Sequence, residues 1–365
     1  MIKTRKCVWN ISPYIPGKPS EEVERELGLK NVIKLASNEN PLGPSPAALD
    51  AIIQKGFQVH IYPDGNCYYI KEAVARHLTV SEKNVIMGNG SNDVIKNIAE
   101  TYIDPGDEVI IPYPSFSEYL IVTQLMGGKP VMVPLNSDYQ HDLDGMLEAV
   151  TDKTKIIFIC NPNNPTGTII TGEQLDRFMN KIPRDVLVVV DEAYYEYVDN
   201  KEFPDSIKYV REGKNVVVLR TFSKIHGLAG LRIGYGITTE EICSLVHRVI
   251  EAFNVNTIAQ TAALASLKDK EHLRKSREVN RIGKEYLYQQ FKQMGLKYVP
   301  SEANFILVDI GQDSRGIFQK MLQKGVIIRT GDIYGYPTFI RVTVGKPAEN
   351  EIFIHTLKEL IDCNS

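Results

Sequence analysis

Lys224 ends the motif Thr221-Phe-Ser-Lys224, directly after the apolar run Val216-Val-Val-Leu219. An ammonium group is costly to bury without a partner, so a lysine at the end of a buried strand admits two readings. Either it is paired to a carboxylate, or it is desolvated, neutral and nucleophilic, ready to condense with a carbonyl. Asp191 closes a second such run, Val186-Leu-Val-Val-Val190. It could cap a helix or, ionised, hold a protonated heterocyclic nitrogen. Tyr194, three residues on, is either a core aromatic or a partner for an oxygen on the same ring. Asn164 lies in Asn161-Pro-Asn-Asn164-Pro-Thr-Gly167, where two prolines and a glycine fix a turn after Cys160. Its amide could donate to a phenolate oxygen.

A phosphate could be held by Gly88-Asn-Gly90-Ser-Asn-Asp93, because glycines admit close backbone approach and the first helical turn offers free N–H groups. The segment is only part of a GxGxxG pattern, and it lacks the Gly-Lys-Ser/Thr of a nucleotide-binding loop. Arg232, eight residues after Lys224, could complete a phosphate cradle with Thr221 and Ser223. It could equally be a surface arginine.

Several of these residues follow a short β-branched run, and the runs alternate with amphipathic stretches: Val85-Ile-Met87 before a helix from Ser91, Glu108-Val-Ile-Ile111 before one from Ser115, Lys155 to Cys160 before one from Gly172. Strands buried on both faces read as continuous apolar runs. The alternation predicts an α/β fold, a mainly parallel sheet sandwiched by helices, whose ligands sit beyond the carboxyl ends of the strands. The texture changes after residue 255. A long helical stretch, Asn256 to Phe291, leads into short strands and further helices, which read as a smaller α+β domain. The expected division is 1–45 as a proline-rich N-terminal segment joining the small domain, 46–255 as the large domain and 256–365 as the small one.

The net charge of −3 provides no field that would favour nucleic acid or an anionic membrane. Five cysteines without a CxxC pair argue against a disulfide framework and for a reducing, cytoplasmic setting. The N-terminus lacks the apolar stretch of a signal peptide, and no run of residues is long and apolar enough to span a bilayer. The seven histidines show no HxxxH or HxH spacing, so no metal site is expected. His226, two residues after Lys224, reads as a structural helix-start histidine.

Taken together, the motifs resemble the fold-type I pyridoxal-phosphate (PLP) enzymes, and look most like the histidinol-phosphate aminotransferase group. The matching segments are Tyr14-Ile-Pro-Gly17, Asn38-Glu-Asn-Pro-Leu-Gly43, Tyr62-Pro-Asp64, Gly88-Asn-Gly-Ser91, Asn161 to Gly167, Asp191-Glu-Ala-Tyr194, Thr221 to Arg232, Phe253-Asn-Val-Asn256, Val326-Ile-Ile-Arg329 and Ile340-Arg-Val-Thr-Val-Gly345. They run in family order over almost the whole chain. The resemblance implies a large, mainly parallel seven-stranded sheet domain with a smaller α+β domain, and a homodimer with shared active sites. It implies that Lys224 binds the cofactor covalently and, once released, shuttles the proton between substrate Cα and cofactor C4′. Asp191 would pair with the pyridine nitrogen, Asn164 and Tyr194 would hold the ring oxygen, and Phe116 would cover the ring face. Gly90, Ser91, Asn92, Thr221, Ser223 and Arg232 would bind the phosphate, with Tyr62 reaching it from the neighbouring subunit. Arg341 would grip a substrate α-carboxylate, Arg329 and Tyr14 a distal anionic group, with Asn38 also on the substrate side.

The expected reaction is amino transfer from histidinol phosphate to 2-oxoglutarate. The same scaffold also serves phospho-amino-acid decarboxylases, specialised cyclases or deaminases, and aromatic amino acid aminotransferases. A regulatory module on this scaffold usually adds a DNA-binding domain, for which neither end is expected to have room.

Overall fold

The computed structural model describes residues 2–13 and 17–362. Thirteen strands are present among them: β1 (Ile33–Lys34), β2 (Val85–Gly88), β3 (Glu108–Tyr113), β4 (Lys129–Pro134), β5 (Thr154–Cys160), β6 (Leu187–Asp191), β7 (Val216–Thr221), β8 (Gly234–Ile237), β9 (Lys297–Val299), β10 (Phe305–Asp309), β11 (Val326–Ile327), β12 (Arg329–Thr330) and β13 (Phe339–Thr343). Seven of them form one sheet in the order β2-β8-β7-β6-β5-β3-β4. All neighbours are parallel except β8, which runs antiparallel to both β2 and β7.

The apolar runs are explained by cores on both faces. Successive residues along a strand point to opposite sides. On one face Ile157, Ile159, Val188, Val190, Val216 and Val218 pack with Ile70 and Val74, with Leu175 and Phe178, and with Ala259 and Ala262. On the other, Ile156, Phe158, Leu187, Val189, Val217 and Leu219 pack with Ile95, Ile98, Tyr119, Val122 and Ile242. The parallel order leaves the carboxyl ends of β3, β5, β6 and β7 along one edge. That edge holds Tyr113, Cys160, Asp191 and Thr221.

A smaller antiparallel sheet, ordered β12-β13-β10-β9, packs through Ile306, Val308, Ile340 and Val342 against Leu287, Phe291, Ile317 and Phe353. The N-terminal segment is tied to this part of the molecule, since β1 pairs in parallel with β11, Ile33 opposite Val326.

The long helix expected from Asn256 to Phe291 is two helices, Thr257–Lys268 and Lys270–Gln293. The break falls at Asp269, whose non-helical backbone lets its side chain accept from His272 N–H and start the second helix. The first helix buries Ala259, Ala262 and Ala263 in the core of the seven-stranded sheet, so it packs with the large sheet rather than the small one.

Candidate active site

A cavity of about 620 Å³ lies between the carboxyl edge of the large sheet and the small sheet. Lys224, Asp191, Asn164, Tyr194, Thr221, Ser223, Ser91, Asn92, Phe116, Arg232, Asn38, Arg329 and Arg341 all line it. Residues separated by up to 303 positions in sequence, Asn38 and Arg341, thus converge on one space, because the sheet order places the turns after β5, β6 and β7 side by side.

Lys224 follows β7, and its Nζ donates to Ser37 O at 3.3 Å. Burial, reinforced by the Arg341 charge, lowers its pKa to about 8, which favours the neutral amine. Asp191 is buried at the end of β6. Its Oδ2 accepts from the Tyr119 hydroxyl at 2.8 Å and its Oδ1 from Ala193 N–H at 3.1 Å. Burial raises its pKa to about 6 against the pull of those two bonds. Tyr194 is also buried, and its hydroxyl accepts from Asn38 Nδ2 at 3.0 Å. Asn38 adopts a left-handed backbone, φ 56°, and is fixed on both sides: its N–H donates to Thr343 Oγ1 and its carbonyl accepts from Asn304 Nδ2.

The helix Ser91–Tyr102 begins at the cavity with Gly90 as its N-cap and no side chain capping it, so its first N–H groups are presented to a ligand. Gly90 has φ 91°, and a Cβ there would come within 2.6 Å of Arg232 Nη2. A Cβ on Gly234 of β8 would collide with Ser91 N. Both glycines therefore keep the helix start and the guanidinium close together. Arg232 Nη1 donates to Ser223 Oγ at 3.4 Å and to Ala229 O at 3.1 Å.

Arg329 and Arg341 stand directly opposite one another on β12 and β13. Arg341 is buried; its Nη1 donates to Asn164 Oδ1 and to Tyr334 Oη, and its Nη2 donates to Ala36 O at 2.7 Å, while Nε has no partner. Two cations opposed across a strand pair repel, and a buried donor without an acceptor calls for one. An anionic ligand would answer both.

Tyr62 does not line the cavity of its own chain; it is 78% exposed, with its ring stacked on Phe253 at 4.6 Å. Tyr14 lies outside the described residues. His226 is buried, bonded through Nδ1 to Ser266 Oγ at 2.8 Å, and burial lowers its pKa to about 3, in keeping with a structural role. Ser37 and Tyr334 also line the cavity, Tyr119 bonds Asp191 from behind its wall, and none carries a motif that marks it. The spacing of Phe116 and Tyr119, three apart, is the one signal that could have linked the latter to the cavity wall.

The donor set fits a planar heterocycle bearing an aldehyde and a phosphate. An amine of lowered basicity, a buried carboxylate with no cation bonded to it, a buried amide and phenol, and an uncapped helix start beside an arginine share one cavity.

Residues 30–357 match the family model described as aminotransferase class I and II. The chain belongs to this aminotransferase family. It is 57% identical over 360 residues to the histidinol-phosphate aminotransferase of Moorella thermoacetica, covering 98% of this chain and 93% of that one. It is 49% identical over 357 residues to that of Caldicellulosiruptor saccharolyticus, covering 98% and 99%. A crystal structure of histidinol-phosphate aminotransferase from Sinorhizobium meliloti in complex with pyridoxal-5'-phosphate superposes with a TM-score of 0.93 at 28% identity, covering 100% of this chain and 99% of that one. Within the family, the chain falls in the histidinol-phosphate aminotransferase group.

Proposed function

We propose that the chain is a PLP-dependent aminotransferase that moves the amino group of histidinol phosphate to 2-oxoglutarate, working as a cytoplasmic homodimer. The observation that carries this reading is the convergence of Lys224, Asp191 and the opposed pair Arg329 and Arg341 on one cavity. When bound, PLP supplies an aldehyde and a protonated pyridine ring that takes up the electrons left when the substrate Cα–H bond breaks.

Lys224 would attach to the aldehyde, and its amine, once free, would accept the proton from the substrate Cα. Asp191 holds the ring nitrogen, Asn164 and Tyr194 the ring oxygen, and Phe116 the ring face. Ser91, Asn92, Thr221, Ser223 and Arg232 hold the phosphate at the helix start that Gly90 caps. Arg341 would grip the α-carboxylate of the amino acceptor in a bidentate pair and so orient its α-carbon toward the Lys224 amine. The donor carries a phosphate ester and no carboxylate; Arg329, with Tyr14, meets that distal anion, and Asn38 fixes the wall between the two.

A dimer is supported by an apolar band on the surface. Ile53, Phe57, Val59, Ile61, Tyr62, Tyr69 and Phe253 are exposed along one stretch of the chain and the loop that stacks on it. Contiguous apolar surface of this kind marks an interface, and Tyr62 within it would reach the partner's phosphate site. The described cysteines are all free, which suits a reducing compartment.

The test is incubation of the PLP-loaded protein with histidinol phosphate and 2-oxoglutarate. Stoichiometric glutamate is expected. Absence of glutamate, or release of carbon dioxide from threonine phosphate in a parallel reaction, overturns the assignment in favour of another reaction on this scaffold.

A further inference from the structure

Asp191 makes two hydrogen bonds within the chain, and they are unequal in kind. The Ala193 N–H on Oδ1 belongs to the turn after β6, and any residue except proline would supply it. The Tyr119 hydroxyl on Oδ2 comes from a different element, the helix Glu118–Met126, 72 positions earlier in the chain. Tyr119 is fully buried, and its ring is clamped. It stacks on Phe158 of β5 with centroids 4.4 Å apart and planes 10° from parallel, and it meets Phe116 edge-on at 5.6 Å and 87°. A phenol held this way keeps its oxygen beside Asp191 and Cys160, and it donates to the carboxylate at 2.8 Å, while its edge-on neighbour Phe116 lines the cavity.

We propose that Tyr119 is a positioning residue for the amino-transfer reaction: its O–H fixes the Asp191 carboxylate that would hold the cofactor's ring nitrogen, and its ring backs Phe116 against the cofactor face. The proposal rests on reading the cavity as a PLP site. Tyr119 acts through Asp191 and Phe116 and touches neither cofactor nor substrate.

A carboxylate in a dry site loses its charge unless something holds it. Burial lifts Asp191, and the Tyr119 and Ala193 bonds hold it down to about 6. The other groups that face it are Cys160 on β5, Glu192 and Tyr194 on its own segment, and Lys224 beyond β7. Glu192 raises Asp191 further, and Lys224 lowers it by less than the phenol does, so the phenol is the largest influence favouring the ionised form. Tyr119 itself stays protonated, because burial and the adjacent Asp191 hold it well above the usual phenol range. It is a permanent donor to the ionised form, which favours that form.

The experiment is titration of the apoprotein with PLP between about pH 5 and pH 8.5 for the parent, Tyr119→Phe and Phe158→Leu. Tight binding needs both the charge on Asp191 and the neutral amine of Lys224, so affinity falls as pH drops through both, and the difference between parent and variant isolates the Asp191 limb. Tyr119→Phe keeps the ring stack and removes the donor. Its midpoint is expected to move up by about one pH unit, leaving affinity near parental above pH 8 and up to about tenfold weaker near pH 5.5. Phe158→Leu loosens the same core and keeps the O–H; a lower melting temperature with the parental midpoint is expected. Tyr119→Leu, also without a donor, repeats the measurement should the phenylalanine variant fail to fold. A Tyr119→Phe protein whose affinity is unchanged, or reduced equally at every pH, overturns the proposal and leaves Tyr119 a core residue. A parent protein that binds no PLP at Lys224 refutes the underlying reading of the cavity, and the inference with it.

Discussion

Lys224 and Asp191 show one cause acting on opposite charges. Burial lowers the lysine to about 8 and raises the aspartate to about 6, so each is driven toward its neutral form. The ligand-free pocket thus holds two groups whose charges are costly there. For Asp191 the folded value lies above the unfolded one, so its contribution to stability is present at low pH and is lost as pH rises from about 4 through about 6. Asp191→Asn removes that burden and the charge for the ring nitrogen together. The apoprotein should melt at the same or a higher temperature than the parent at pH 7, while turnover falls by orders of magnitude. Paired calorimetry and initial-rate assays decide it: unchanged turnover, or a clear fall in melting temperature, shows that the carboxylate has another task. These residues were legible in the sequence because each follows an apolar run whose burial the pattern itself reveals. Tyr119 was not, since Glu118–Met126 reads as an apolar stretch in which a tyrosine passes for core. Nor was Tyr334, which lies in the irregular turn between β12 and β13.

At the scale of elements, the site depends on how the helix Ser91–Tyr102 is seated. Gly90 holds φ 91° and leaves room for Arg232, and Gly234 on β8 leaves room for the Ser91 amide. Gly90→Ala adds strain at a backbone angle that L-residues avoid, at a cost of about 1 kcal/mol, and pushes the guanidinium from the helix start. PLP affinity should fall about 10- to 100-fold, while affinity for pyridoxal, which has no phosphate, should hardly change. Equal losses for both ligands, measured by absorbance titration, would mean that the helix start does not bind phosphate. The strands around this helix follow from the alternation of apolar runs and amphipathic stretches, whereas their order, with antiparallel β8 between β2 and β7, does not. The division of the stretch after Asn256 does not, because charged and apolar residues keep helical spacing across Asp269 and only the local capping bond marks the break.

At the scale of the molecule, the apolar band around Phe57 and Tyr62 is exposed among the described residues. Phe57 is 84% exposed within it. On the proposed dimer, Phe57→Asp should shift the protein from dimer to monomer in sedimentation velocity and lower PLP affinity, because each site would lose the Tyr62 proposed to reach it from the partner. A variant that stays dimeric places the interface elsewhere; a monomer with full affinity removes Tyr62 from the phosphate site. The arginines opposed on β12 and β13 have a consequence of the same reach. The buried Nε of Arg341 has no acceptor among the described residues, and any small dianion that fits between the two sheets would supply one. Buffer composition is therefore a hidden variable for this protein: inorganic phosphate or sulfate would act as a competitor and a preservative at once, slowing the reaction while guarding the fold against heat.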